Sequence, residues 1–175
     1  MNKRIFACAA LAVLAAVSFA AAQNKTPDYS GKWKLDMSKS ELGERSMLES
    51  MDMTVEQTAD TLSVERTPKF ARGGEGVGGL AGGNLGGGKM TYDLSGKETK
   101  SEGAMGGEVA LTAEVGKEGG LILLQKRNLD TQMGSFSIKT LELWKLSADG
   151  KTLTVLSSTE TPRGNRSQKM VFSRQ

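Results

Sequence analysis

Residues 141–155 read LELWKLSADGKTLTV, two strand-like runs on either side of Ala-Asp-Gly-Lys. Asp-Gly is a strong hairpin signal, because tight hairpin turns need a positive φ that these residue types tolerate. A more diverged copy, VEQTADTLSV, occupies residues 55–64. A chain that repeats a hairpin builds a sheet, so this stretch predicts antiparallel β structure. It also predicts that Asp149 and Gly150 form the turn, so Asp149 is interpreted as a turn residue and not as a catalytic one.

Apolar and polar residues alternate with a period of two through most of the chain after residue 23. The alternating stretches are residues 33–37, 51–56, 62–65, 90–94, 109–115 and 152–155. One apolar and one polar face are typical of antiparallel strands with one wet side. Short turns separate the stretches, so the sequence predicts an all-β antiparallel meander of roughly eight to ten strands, enough to close a small barrel.

Three places depart from this simple pattern. Between residues 136 and 146 the apolar phase slips, since Leu141 and Leu143 have the opposite parity to Trp144, and the slip predicts a β-bulge. Residues 121–124 are apolar on both faces, which predicts a strand covered on both sides or one that passes under a lid. Residues 40–50 are the one helical candidate of the chain, weakened by a glycine.

The first 22 residues have the layout of a signal peptide. Lys3 and Arg4 precede an apolar run over residues 5–19, and three alanines precede Gln23. The run is shorter than the roughly 20 residues that span a bilayer, so no transmembrane segment is expected after cleavage. We therefore expect an exported protein, periplasmic or secreted, whose residues 23–175 form a single domain.

Removal of this leader changes the charge and the cysteine content. It takes away Cys8, the single cysteine of the chain, and the loss of its two basic residues lowers the formal net charge from +3 to +1. A nearly neutral chain has no charge excess to attract nucleic acid or an anionic membrane surface. We expect neither as a partner.

Residues 73–88 contain ten glycines in sixteen positions, and we expect a flexible loop inside the domain. The segment contains a Gly-x-Gly-x-x-Gly match at residues 74–79 and most of a P-loop pattern at residues 83–89. Both motifs hold phosphate only at the start of a helix. Here Met90 takes the place of the magnesium-binding hydroxyl residue and a strand follows, so nucleotide binding is not expected.

The residue inventory argues against catalysis. The chain has no histidine, and its one cysteine lies in the leader. This excludes Ser-His-Asp and Cys-His nucleophiles and thiolate or imidazole metal sites. Carboxylate-only catalysis stays open through Glu98, Glu102, Glu108 or Glu114, but alternation with apolar residues predicts that these lie on solvated strand faces. We expect no enzyme, no metal and no cofactor.

Gly31-Lys32-Trp33 on the first strand, followed by an antiparallel meander, resembles the lipocalin and calycin group. The runs over residues 33–40 and 143–154 look like lipocalin-like exported β-proteins of bacteria. The resemblance implies a barrel whose tryptophan closes one end and packs against an arginine from near the C-terminus. Gly31 and Trp33 match this closure, with Arg174 or Arg166 as its arginine.

This combination predicts a non-enzymatic binding protein for a small apolar or amphipathic molecule. Methionine, frequent at nine residues, suits an adaptable pocket but also fills ordinary cores. The glycine-rich loop would flank the mouth. An alternative is an envelope interaction module with a solid core, since barrels of about eight strands are often just wide enough for their own side chains. The candidate ligand-binding residues are Met53, Met90, Tyr92, Leu111, Leu123 and Trp144.

Overall fold

The computed structural model of the chain describes residues 26–43, 46–71, 88–102, 107–116, 119–131, 134–162 and 164–175. These residues form ten β-strands. In chain order they are β1 (Gly31–Leu35), β2 (Leu48–Gln57), β3 (Thr61–Phe70), β4 (Gly88–Asp93), β5 (Thr99–Glu102), β6 (Glu108–Val115), β7 (Leu121–Thr131), β8 (Gly134–Leu146), β9 (Thr152–Thr161) and β10 (Gly164–Arg174).

The ten strands form one antiparallel sheet in the order β4-β3-β2-β1-β10-β9-β8-β7-β6-β5. The two edge strands meet through side chains. The Thr99 hydroxyl donates to the Thr91 carbonyl at 2.7 Å, and the Ser101 hydroxyl donates to the Lys89 carbonyl at 3.3 Å. Hydroxyl groups thus satisfy carbonyls of the β4 edge, and the sheet closes into a nearly complete barrel. The predicted all-β antiparallel meander is confirmed.

The hairpin that joins β8 and β9 is built as its sequence predicts. Gly150 has a φ of 69°, and the Ser147 amide donates to the Thr152 carbonyl at 2.8 Å. The Asp149 carboxylate accepts hydrogen bonds from the Ser147 hydroxyl at 2.6 Å and the Lys151 amide at 3.0 Å. Asp149 therefore stabilises the turn. Residues 55–64 likewise span the β2–β3 hairpin.

The predicted bulge near Leu141 and Leu143 is wrong. Strand β8 pairs without interruption with β7 from Gly134 to Trp144 and with β9 from Lys139 to Leu146, and a register shift lies instead in β2, between Leu48 and Ser50. Leu141 and Leu143 face outward instead, at 37% and 43% exposure. The apparent phase slip is produced by outward-facing leucines on a regular strand.

The helix predicted over residues 40–50 is also wrong for the part of that range that the structure describes. Glu41 forms an isolated antiparallel bridge with Lys169, and β2 begins at Leu48. The amide and carbonyl of Glu41 both bond to Lys169, so its backbone is committed to the sheet and not to a helix. Of the predicted flexible loop, residues 73–87 lie outside the described residues, and Gly88 already belongs to β4.

The core lies inside the barrel, because alternate residues of each strand point inward. Residues 121–124 show the pattern: Leu121 and Leu123 are fully buried inside, while Ile122 and Leu124 are half-buried on the outer face. The largest fully buried side chains are Trp33, Trp144, Tyr29, Tyr92, Phe172, Met51, Met53, Leu62, Leu111, Leu121, Leu123 and Leu153.

Candidate functional site

One end of the barrel is sealed by aromatic side chains. Tyr29, in the segment that leads into β1, stacks edge-on against Trp144 with ring centroids 5.8 Å apart. Its carbonyl accepts a hydrogen bond from the Trp33 indole at 3.0 Å, and its hydroxyl lies 3.4 Å from the Trp144 carbonyl. Burial raises the pKa of Tyr29 above its ordinary value, as expected in a dry environment. We call this the closed end.

Arg174 is the outer clamp of the closed end. Its guanidinium lies 4.3 Å from the centroid of the Trp33 ring, within cation–π range. It donates to the carbonyls of Ser30 and Asp28, and its Nε donates to the Gly150 carbonyl at 2.7 Å. Of the two arginines implied by the resemblance, the structure places Arg174 in this position.

Gly31 leaves room for this clamp. Its φ is +131°, and a Cβ built on it would lie 2.8 Å from Nη1 of Arg174. A larger residue would strain the backbone and displace the guanidinium. Arg166, the other candidate for the clamp, is exposed on β10.

Midway along the interior, polar side chains replace the apolar core. The Gln125 amide donates to the Tyr92 hydroxyl at 2.6 Å, and the hydroxyls of Thr140 and Thr159 are 3.2 Å apart. Buried polar groups need such partners, because an unpaired one costs about 1–3 kcal/mol. We call this set the polar layer, and it consists of Arg66, Tyr92, Gln125, Thr140, Glu142 and Thr159.

An ion pair crosses the barrel within the polar layer. Arg66 and Glu142 lie on β3 and β8, the second and seventh strands of the order, which face each other across a ring of ten. Nη2 of Arg66 donates to Oε2 of Glu142 at 2.8 Å, and that oxygen also accepts the Trp144 indole N–H at 2.8 Å. The side chains are 5% and 1% exposed. The pair divides the interior into two parts.

Beyond the polar layer the inward-facing side chains differ in burial: Leu48, Val109 and Ile138 are buried, but others are only half-buried. Leu129 and Phe136 form a cross-strand pair near the end of the β7–β8 hairpin, and Phe70 ends β3. Arg127, on the same face of β7 as Gln125, is half-buried as well. We call this region the open end. Apolar side chains that face inward yet stay partly exposed are typical of the rim of a ligand site.

The outer face carries a second apolar feature. Leu141, Leu143 and Leu156 are 37–47% exposed, and Leu143 pairs directly with Leu156 across β8 and β9. They line a groove of about 520 Å³, bounded on one side by Glu41 and Lys169, whose side chains form a 2.9 Å ion pair. We call this the outer groove. Exposed apolar patches of this kind mark interaction surfaces.

The structure places all six predicted ligand-binding residues in the interior, but not at one level. Trp144 belongs to the closed end, whereas Tyr92 belongs to the polar layer. The others are buried along the wall: Met53, Met90, Leu111 and Leu123. Their contact with a ligand stays a prediction. Sequence reasoning missed the remaining polar layer, namely Arg66, Gln125, Thr140, Glu142 and Thr159. The missed signal is their parity, which they share with buried apolar neighbours on each strand.

Among the described residues, no acidic cluster could hold a metal ion, and no helix is both long and apolar enough to cross a membrane.

No family model and no curated protein matches the chain. Solved structures do. The zebrafish ileal bile-acid-binding protein complexed with cholic acid is 12% identical, with a TM-score of 0.50 over 84% of this chain and 98% of that one. A Schistosoma mansoni fatty-acid-binding protein in complex with arachidonic acid is 15% identical, with a TM-score of 0.49 over 84% of this chain and 96% of that one. The likeness to the zebrafish structure shows that the two proteins share an antiparallel β-barrel fold.

Proposed function

We propose that this protein is a non-enzymatic binding protein for a small apolar or amphipathic molecule, which it holds in the open end of the barrel. The observation that carries the proposal is the change along the interior: a dry aromatic seal, then the polar layer, then a half-exposed apolar rim. Ligand sites are mostly apolar with a few placed polar groups. The zebrafish bile-acid-binding structure, which contains cholic acid, is compatible with this use of the fold.

The setting that we propose is outside the cytoplasm, in the periplasm or the medium, on the basis of the signal-peptide layout of residues 1–22. Secretion assays of a reporter fused to these residues test it. Retention of the reporter in the cytoplasm would contradict it.

The ligand proposal is tested by thermal shift of the purified protein with fatty acids, quinones and hydrophobic dyes. Thr140 points inward above the ion pair, and its neighbour Leu141 points outward, so the two form a matched pair. We expect Thr140→Phe to occupy ligand space and reduce the ligand-induced shift, while Leu141→Phe leaves it unchanged. A panel that gives no shift with the wild-type protein would refute the proposal.

A second candidate function is an envelope interaction module with a solid core, and the outer groove favours it. Leucines exposed on a sheet face are suited to contact with a protein. Here Thr140→Phe would overpack a filled interior and destabilise the fold by about 1–3 kcal/mol. That destabilisation, together with a purified partner whose binding is lost in Leu143→Gln, would favour this candidate over the first.

A further inference from the structure

We propose, building on the proposed ligand-binding function, that the buried end of the ligand is an uncharged hydrogen-bond acceptor, such as a carbonyl or ester oxygen, and not a carboxylate. The inference rests on two features of the polar layer: the buried ion pair between Arg66 and Glu142, and an unused N–H group on Arg66.

The Nε–H group of Arg66 is an unused donor. The side chain of Arg66 is 5% exposed, and its Nε is buried without a hydrogen-bond partner among the described residues. An arginine carries only donors, so what Nε–H requires is an acceptor. Leaving a buried donor unpaired is unfavourable, and a ligand oxygen in reach of this N–H would remove the penalty. The polar layer therefore selects for an acceptor.

The two charged side chains of the polar layer already form an ion pair with each other. Glu142 neutralises Arg66 at 2.8 Å, and together they span the interior with both side chains almost inaccessible to solvent. A carboxylate at Arg66 would place a second negative charge beside Glu142 and leave the layer with a net negative charge. In a low-dielectric interior that repulsion and the desolvation of the anion oppose binding strongly. A neutral acceptor satisfies the same N–H without either penalty.

Among the described residues, two further charged side chains share the inward parity of this region: Arg166, exposed on β10 opposite Thr159, and Arg127. Arg127 is half-buried at the open end, one inward position beyond Gln125 on β7, where water screens its charge. It could hold an anionic group at the rim, so the experiment removes it in one arm. The inference itself concerns the end of the ligand that reaches Arg66.

The test compares three molecules of one chain length: methyl dodecanoate, dodecanoate and dodecane. Their affinities for the purified protein are measured by displacement of a hydrophobic dye. We expect the ester to bind about ten-fold or more tighter than the carboxylate and than the alkane, since both lack a neutral acceptor. In Arg127→Gln the preference for the ester over the carboxylate should be the same or greater.

Two variants of the ion pair are diagnostic. Glu142→Gln leaves Arg66 charged without its counterion, so the affinity for dodecanoate should rise about ten-fold relative to the ester. Arg66→Met with Glu142→Leu replaces the pair by apolar groups, a change that often preserves folding. In that protein the ester should bind no better than dodecane. The ester carbonyl stretch, lowered in frequency in the wild-type complex, should return to the value found in an apolar solvent.

The outcomes separate the two proposals. Equal or tighter binding of dodecanoate in the wild type and in Arg127→Gln would overturn this inference but leave the binding function standing. An ester affinity unaffected by the double replacement would also overturn it. If none of the three molecules and no member of the wider panel binds, the proposed function fails and this inference fails with it.

Discussion

The two ends of the barrel are built from the same alternating strands but differ in how their interior is finished. At the closed end Trp33, Trp144 and Tyr29 are at most 1% exposed and each makes a polar bond as well as apolar contacts. At the open end Phe70 and Phe136 face inward but remain half-exposed. The difference teaches that alternation builds the wall, whereas stability and ligand access are set separately at the two ends.

The largest difference between the ends should appear when an aromatic side chain is removed. Trp33→Ala deletes a fully buried ring and the contact with Arg174, and we expect a loss of about 3–5 kcal/mol in the free energy of unfolding. Phe136→Ala at the open end should cost about 1–2 kcal/mol, since part of its surface is already exposed to water. Denaturation in urea measures both. Similar losses at the two positions would contradict the distinction between a closed and an open end.

The boundary between the ends is tested by the ion pair of the polar layer. Arg66→Met leaves Glu142 as an unpaired buried charge and should cost about 3 kcal/mol. Replacing both residues, Arg66→Met with Glu142→Leu, should restore most of that loss because no charge stays buried. Guanidinium denaturation at fixed ionic strength provides the comparison. A double variant as unstable as the single one would show that the pair is needed for folding in its own right.

Glycines at the start of β1 and β8 offer a matched comparison of the ends. Gly31 and Gly134 have φ values of +131° and +117°, but only Gly31 has an atom of another residue within reach of an added Cβ. Both alanine variants should therefore be destabilised by backbone strain of about 1–2 kcal/mol, and Gly31→Ala by more, since Arg174 must move. Melting temperatures test this. A change in the fluorescence of Trp33, which packs against Arg174, is expected only in Gly31→Ala.

The wall of the barrel was predictable from the sequence because strand alternation and turn residues are local signals. The closure of one end by Trp33 was predicted from the short Gly31-Lys32-Trp33 motif and the family resemblance based on it. The polar layer was not predictable in this way. In LELW the leucines suggest the apolar face, yet Glu142 faces inward and both leucines face outward. Only the fold brings Arg66, 76 residues away, to satisfy Glu142. The phase of the apolar pattern in β8 therefore slips in the sequence because a charged residue, Glu142, occupies an inward-facing position between two outward-facing leucines.

The smallest expected effect is the acid sensitivity of two turn aspartates, one after β1 and one in the β8–β9 hairpin. The Ser38 hydroxyl and Lys39 lower the pKa of Asp36 to about 2, with Lys39 at 3.0 Å. The Ser147 hydroxyl lowers the pKa of Asp149. A pKa lowered in the folded state means stabilisation that is complete above the unfolded pKa and lost as pH falls through the folded value.

For Asp36 that loss falls between about pH 4 and pH 2, so acid should weaken the turn after β1 before it affects the sealed interior. We expect Asp36→Asn to flatten the decline of the urea midpoint across this range, and Asp149→Asn to flatten it less, because Asp149 has no side-chain ion pair comparable to the one with Lys39. Both variants should be slightly less stable than the wild type at neutral pH, where the aspartates are ionised, and should approach it in acid, where the carboxyl groups are protonated. An equal flattening in the two variants would mean that the acid response does not depend on the ion pair with Lys39.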